Sequence, residues 1–406
     1  MTRVVFRHGA GPLPLLVLAV FCLAAASVGA QQRPVSRAVF GGSGGGQDNA
    51  ANQPPPSNAV PSGGVFGPTR STAQWLARLR QATHAPVYTG TYVVWSAPGT
   101  LASSRIWRAS EGDVRVERVD ALSGQPRSIY RVTNPRGSEV KTFLSARHVL
   151  RIDRSDTPGK EGGFPNLPDA GQGVSPTDYY AAQQRGQERV AGFMADVVQL
   201  APRDDLRYGY RVWSEQRTGL VIKLQTLDQH GRVLEQAAFS DLAFDAPINV
   251  PALLNEMHHT RGWRVERVAR VPTTMAAEGW QIGAPAGRPV PGFALQRCYR
   301  QPVPVRAADV RAGDISATDG DSSQGGKAAG WFQCVFSDGL AAVSVFIEPY
   351  DATRRQAYRH GELDAALGGA THLLARRVGA TGWVTVVGEV PPQTLKRFAA
   401  GVARLP

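Results

Sequence analysis

Apolar side chains at helical spacing open the patterned part of this sequence. Ser71 or Thr72 can cap a helix in which Trp75, Leu76, Leu79 and Ala82 fall on one side, and Pro86 ends it. The period then shortens to two. Across Val87–Trp95, Tyr88, Tyr92 and Val94 share one face with Gly90 between them, and Val87, Val93 and Trp95 take the other. Short β-like runs follow at Ser104–Ala109, Asp113–Val119, Arg127–Val132, Glu139–Leu144 and His148–Ile152, with turn residues at Ser123-Gly124 and Asn134-Pro135. Alternation such as Val114-Arg115-Val116-Glu117 marks a sheet with one wet face.

Residues Asp153 to Pro176 read as a long loop rich in Gly, Pro and Asp, and Thr177 to Gln184 as a short helix. Strands resume at Glu188–Leu200, Arg207–Ser214, Leu220–Leu227, Val233–Phe239 and Leu242–Phe244. About ten strands and one early helix predict a large curved sheet wrapped around that helix. Pro247 to Gly279 has weak periodicity and reads as a connection. A second unit then starts near Trp280, with strands at Phe293–Tyr299, Trp331–Phe336, Ala341–Glu348, Leu373–Val378 and Thr381–Val387. Asp338-Gly339 suits a tight hairpin, and Pro391-Pro392 opens a last helix with Leu395, Phe398, Ala399 and Val402 on one face. Arg300 to Gly330 is expected to be an exposed, mobile loop.

The ends of the pattern add a compartment. Arg3, Arg7 and the apolar stretch Leu13 to Ala26 form an export signal over residues 1–30, with cleavage expected after Ala30. The apolar run is shorter than the roughly 20 residues that a spanning helix needs. Gln31 to Arg70 is a Gly/Pro-rich leader with too few apolar residues to offset the entropy of ordering. The domain plan is therefore signal 1–30, leader 31–70, curved-sheet domain 71–246, connection 247–279 and α+β unit 280–406. The fold class is α+β, mostly β. The formal net charge of +12 falls to about +10 once Arg3 and Arg7 are removed. The basic residues are scattered, so no nucleic-acid arm is marked and nucleic acid is not an expected partner. The Arg-rich usage reads first as genome composition alone; the alternative is attraction to an acidic partner, anionic lipid or lipopolysaccharide. Cys298 and Cys334 survive processing as an even pair on two expected strands. A disulfide there would close a loop of about 36 residues and stabilise by about 4 kcal/mol in the chain-entropy picture. The alternative is a pair of buried thiols.

No enzyme constellation stands out. The sequence has no H-E-x-x-H, Cys-x-x-Cys, P-loop or strand-anchored dinucleotide fingerprint, so no metal or cofactor is expected. Gly41-Gly42-Ser43-Gly44-Gly45 matches a nucleophile pattern without the flanking strand and helix. His258 and His259 are adjacent, which suits a shared metal poorly. Asp204 and Asp205 read as loop caps or as ion-pair partners of Arg203 or Arg207. Ser337 and Asp338 have only His360 and His372 as distant histidines, and a hairpin explains them sufficiently. What the chain offers is aromatic and apolar material. Tyr88, Tyr92, Val94, Trp107, Tyr130, Phe143 and Phe193 are candidates for one inner face, a groove for acyl chains or an apolar peptide, against the alternative of an ordinary core.

Certain ordered segments carry more identity than composition does. They are Trp75-Leu76 followed by Tyr88-Thr89-Gly90-Thr91-Tyr92-Val93; Arg189-Val190-Ala191-Gly192; Arg207-Tyr208-Gly209-Tyr210; Val233-Leu234-Glu235-Gln236 to Phe239; and Ser337-Asp338-Gly339-Leu340 with Ser344-Val345-Phe346-Ile347. In this order, behind an export signal, they resemble the RseB/MucB family of periplasmic sigma-E regulatory proteins. The resemblance implies an N-terminal open half-barrel around a helix, similar to the lipoprotein carriers LolA and LolB, and a smaller α+β domain. It implies a periplasmic negative regulator, not an enzyme. Such a protein binds the periplasmic domain of a membrane anti-sigma factor of the RseA/MucA type and shields it from proteolysis. Lipid, lipopolysaccharide or mislocalised lipoprotein acyl chains would release it. Ser337, Asp338, Gly339 and Leu340 form the candidate partner-binding hairpin, and a homo-oligomer is compatible with this reading. The alternative is a periplasmic lipid or lipoprotein carrier, for which the unit from Trp280 to Pro406 has no evident use.

Overall fold

The structure, a computed structural model, describes residues 69–82, 87–155, 174–268, 270–283, 290–301, 331–351 and 362–405. The expected signal, almost all of the leader, and most of the loops 153–176 and 300–330 lie outside the described residues.

The first helix, α1 (Thr72–Gln81), is nucleated locally. Ser71 Oγ accepts the Gln74 amide, while Gln74 Oε1 accepts the Ser71 amide, a reciprocal capping box. Trp75, Leu76 and Leu79 are its buried face. The meander follows as β1 (Tyr88–Ser96), β2 (Thr100–Glu111), β3 (Val114–Ala121), β4 (Arg127–Asn134), β5 (Gly137–Leu144) and β6 (Val149–Ser155). After α2 (Pro176–Tyr179) come β7 (Tyr180–Val190), β8 (Phe193–Pro202), β9 (Gly209–Glu215), β10 (Val221–Leu227) and β11 (Val233–Phe244). The expected helix over 177–184 is thus only its first turn. Tyr180 and Ala182 pair with Pro202 and Leu200 of β8, and this long-range pairing overrides the local preference.

Residues 247–279, expected to be a connection, are structured. Asn249 caps α3 (Val250–His258) by accepting the Ala252 amide at 2.9 Å. Pro251 sits in the first turn, where its missing N–H costs nothing, so it starts this helix instead of breaking it. Val250, Leu253 and Met257, spaced three and four apart, form its buried side. β12 (Arg264–Val268) then joins β6 in parallel.

The result is one 12-stranded sheet, ordered β12-β6-β5-β4-β3-β2-β1-β11-β10-β9-β8-β7. Its edge strands β12 and β7 do not pair with each other, so it is an open half-barrel, as expected. The second unit contains β13 (Val271–Thr273), β14 (Trp280–Ile282), β15 (Ala294–Gln301), β16 (Trp331–Ser337), β17 (Ala342–Pro349), β18 (Glu362–Gly368), β19 (Thr371–Val378), β20 (Gly382–Gly388), α4 (Pro392–Gly401) and β21 (Val402–Arg404). Seven of these strands form an antiparallel sheet ordered β13-β15-β16-β17-β20-β19-β18, and β14 pairs with β21. Phe398 of α4 packs against Phe293 and Phe336 at 5.5 and 5.2 Å between ring centres. Cys298 and Cys334 face each other on β15 and β16 and are joined as a disulfide.

Candidate functional site

Two regions hold the residues singled out by the sequence: the inner face of the half-barrel and the junction between the two units. On the inner face, Tyr88, Tyr92 and Val94 pack with Ile106, Val119, Ala237 and Phe239. The Phe239 ring meets Tyr88 and Tyr92 edge-on at 5.9 and 6.1 Å. Phe193 joins this cluster and contacts Phe244 at 4.9 Å.

Trp107, Tyr130 and Phe143 do not belong to that face. Trp107 pairs with Thr89, and the ladder continues from Trp107 through Arg118 and Tyr130 to Lys141, two residues from Phe143. All three therefore point to the outer face, beneath α3. Trp107 lies with Val250 and Leu253, and Tyr130 and Phe143 with Met257 and Trp263. The Tyr130 hydroxyl donates to Glu256 at 3.1 Å, and burial pushes it up to about 12. A period of two fixes each strand's faces but not the phase between strands, and α3 was not foreseen as a cover.

The same ladder gives the inner face a charge. Over β2 to β4 it presents Arg108, Arg115, Arg127 and Arg131 against Glu117. Glu117 holds Arg131 at 3.3 Å and Arg108 at 3.9 Å, with Arg108 and Glu117 both buried. Burial holds the neighbouring Arg115 and Arg127 below the ordinary guanidinium range. Arginines beside buried aromatic rings suit an amphiphile with an acidic head.

The hairpin Ser337–Leu340 is turned inward. Asp338 is 0 % exposed. One of its oxygens, Oδ1, accepts the Leu340 and Ala341 amides at 2.9 and 2.7 Å, which closes the turn. The other, Oδ2, accepts Arg207 Nε at 2.8 Å and the Tyr180 hydroxyl at 2.9 Å, both from the half-barrel. Every acceptor direction of the carboxylate is used. Burial, then the charge of Asp338, holds the Tyr180 hydroxyl well above its ordinary range.

Arg207 is equally buried. It also donates to Asp204 and to the Pro291 carbonyl, and its guanidinium lies between the rings of Tyr179 (4.3 Å) and Phe293 (5.2 Å). A side chain at Gly292 would meet Arg207 Nη2 at 2.5 Å and the Tyr179 ring at 2.7 Å, so only glycine fits. Apolar side chains are exchanged around this clasp. Leu340 packs among Trp75, Leu76 and Leu79 in the half-barrel, and Leu206 packs into the core of the second unit. Thr394 caps the exchange by donating to the Leu206 carbonyl at 2.7 Å.

The hairpin expected to present a partner contact is therefore covered by the chain's own half-barrel. Arg207, Tyr179 and Tyr180 were missed as its partners, because they lie more than a hundred residues away and nothing local announces them. The reading of Asp204 as a loop cap and ion-pair partner matches the structure: Oδ1 accepts the Leu206 amide at 3.0 Å and Oδ2 pairs with Arg207. An open cavity of about 480 Å³ of mixed polar and apolar lining lies beside this loop, among Gln199, Ala201, Pro202, Arg203, Leu227 and Asp228.

A second polar seam crosses the junction. Glu235 of β11 accepts the Ser96 hydroxyl at 3.2 Å, and the Gly369 amide donates to the Ala97 carbonyl at 2.8 Å. Burial pushes Glu235 up to about 7. Glu389 follows β20, and burial plus the charge of Glu235 holds it well above the carboxylate range. Nearby, the Tyr208 hydroxyl and His372 Nε2 are 3.1 Å apart. His258 and His259 are exposed, and the described residues contain no group of three side chains placed to hold a metal.

Comparison with known proteins follows the same division. The profile of the MucB/RseB N-terminal domain matches residues 71–257, and that of the MucB/RseB C-terminal domain matches residues 274–403. The sigma factor AlgU regulatory protein MucB of Pseudomonas aeruginosa is 28% identical over 334 residues, covering 81% of this chain and 90% of that protein. The sigma-E factor regulatory protein RseB of Escherichia coli is 24% identical over 225 residues, 55% of this chain and 59% of that protein. A crystal structure of MucB in complex with MucA(peri) superposes with a TM-score of 0.56 at 25% identity, over 82% of this chain and 99% of that one.

Proposed function

Because the chain belongs to the MucB/RseB family, whose characterised members are sigma factor regulatory proteins, we propose that it binds the periplasmic domain of a membrane anti-sigma factor of the RseA/MucA type and restrains sigma-factor release by shielding that domain from proteolysis. The observation that carries this reading is the likeness, along nearly the whole of the solved chain, to a MucB captured with MucA(peri). Both domain profiles are present in order, and they are locked together through Arg207, Asp338, Leu206 and Leu340. A carrier working through the half-barrel alone leaves that lock unexplained. The protein acts in the periplasm after loss of residues 1–30.

Release runs through the half-barrel. Its inner face joins Tyr88, Tyr92 and Phe239 to Arg108, Arg115, Arg127 and Arg131, which fits an acyl chain under a phosphorylated or carboxylated head: lipid, lipopolysaccharide or a mislocalised lipoprotein. A ligand that favours the unbound conformation must weaken partner binding by the same factor by which the partner weakens the ligand. The test is capture of the mature chain, from Gln31 onward, on an immobilised periplasmic segment of the anti-sigma factor, with and without lipopolysaccharide. Capture that lipopolysaccharide weakens supports both parts of the reading. Absence of capture under every condition overturns it.

A further inference from the structure

The seam around Glu235 brings two carboxyl groups of different units to one place. Glu235 stands on β11, with Ser96 and Thr226 as its strand neighbours. The turn between β18 and β19 presses on it from the other unit: a side chain at Gly369 would meet Glu235 Oε2 at 2.5 Å and Ser96 Oγ at 3.2 Å. Glu389 approaches from the same side, because it lies one step beyond the Gly388–His372 pair, beside the Thr371 end of that turn. Among the described residues, the other titratable groups facing the seam are Tyr210 on β9, Tyr208 beside it, and His372 on β19. Glu389 contributes to holding Tyr210 protonated, Asp228 lies near Tyr208, and Asp364 lies near His372. None of these places a cation between the two glutamates. Arg207, the cation buried in the clasp, pairs with Asp338 and Asp204.

We propose that Glu235, Ser96, the Gly369 turn and Glu389 form a proton-operated joint between the half-barrel and the C-terminal unit, closed while the two carboxyls carry a proton and loosened when both are ionised. The direction follows from the environment. A carboxyl whose titration is raised on closure stabilises the closed form below its ordinary range near 4.5, and that stabilisation is lost as pH rises through about 7. If opening returns Glu235 to water, the opening equilibrium changes on the order of a hundredfold between the acid and alkaline limits. His372, held below its ordinary range by burial, works the other way, since burial disfavours the imidazolium that forms in acid. The joint is therefore tightest in mild acid and slackens on the alkaline side.

The Gly369 amide, which donates across the joint to Ala97, reports its state. Hydrogen exchange of the peptide spanning Leu367–Leu373 in the full mature chain is followed from pH 5.5 to 8.5, corrected for intrinsic exchange, with a β16–β17 peptide as internal reference. The wild type should lose protection at least tenfold relative to the reference as pH rises. The Glu235→Gln/Glu389→Gln double variant should stay protected throughout, and each single variant should lose less than the wild type. No loss in the wild type, or the same loss in the double variant with the reference peptide intact, overturns the proposal.

Discussion

Asp338 and Glu235 are both buried carboxylates at the same junction, yet one faces a guanidinium and the other a second carboxyl. Asp338 meets Arg207 and Tyr180 and closes its own turn. Glu235 has one hydroxyl, Ser96, and the repulsion of Glu389. The Arg207–Asp338 clasp draws the two units together, and the Glu235–Glu389 seam pushes them apart when charged. A buried ion pair adds little relative to apolar packing, but removing one member leaves a desolvated charge, which is costly. The clasp is accordingly a fixed feature of the architecture, and the carboxyl seam is where the architecture can give.

The largest expected effect comes from breaking the clasp on one side. Asp338→Ala takes the buried carboxylate from Arg207 Nε and from the Tyr180 hydroxyl and should cost about 3–5 kcal/mol. Urea unfolding checks this, and a loss below about 1 kcal/mol would show that the clasp is not holding the junction. Leu340→Ala removes the side chain inserted among Trp75, Leu76 and Leu79, with an expected cost of about 2–4 kcal/mol from lost burial and the cavity left behind. Glu235→Gln should do the opposite. Above pH 8 it should stabilise the protein by about 3 kcal/mol and at pH 5 by less than about 1 kcal/mol, because the wild-type carboxyl is then protonated in the folded chain. A pH series of thermal melts separates the two limits. The smallest effect is expected for Tyr208→Phe, which removes the contact with His372 and should cost about 0.5–1 kcal/mol, read in the same melts.

The elements of the fold were legible where the pattern is local. The capping residues before Trp75, the alternation across Tyr88–Val94 and the turn at Asp338-Gly339 anticipated the structure, as did Leu395, Phe398 and Ala399 of the last helix, whereas Val402 lies on β21 beyond its end. Three things were not legible, each for a physical reason. The weak periodicity of 247–279 read as a connection, although Pro251 sits in a first helical turn, where it starts a helix, and so α3 was missed. Without α3, nothing showed that Trp107, Tyr130 and Phe143 needed the outer face, so seven residues were assigned to one groove where the register divides them between two faces. The hairpin residues were found, but Arg207 lies 131 positions from Asp338, so the hairpin's burial was invisible to local reasoning. That burial also alters the meaning of a deletion. Removing Trp280–Pro406 would take Leu340 from beside Trp75, Leu76 and Leu79 and strip Arg207 of Asp338, so loss of capture by such a fragment would not assign the partner contact to the second unit.

The central claim is that the intact, clasped chain shields an anti-sigma factor, and the most direct measurement is protection. The periplasmic segment of the anti-sigma factor is incubated with the protease that initiates its cleavage, alone, with the mature chain, and with the mature chain plus lipopolysaccharide. The account predicts that the chain slows cleavage at least tenfold and that lipopolysaccharide restores it. Cleavage at the same rate with and without the chain would contradict it.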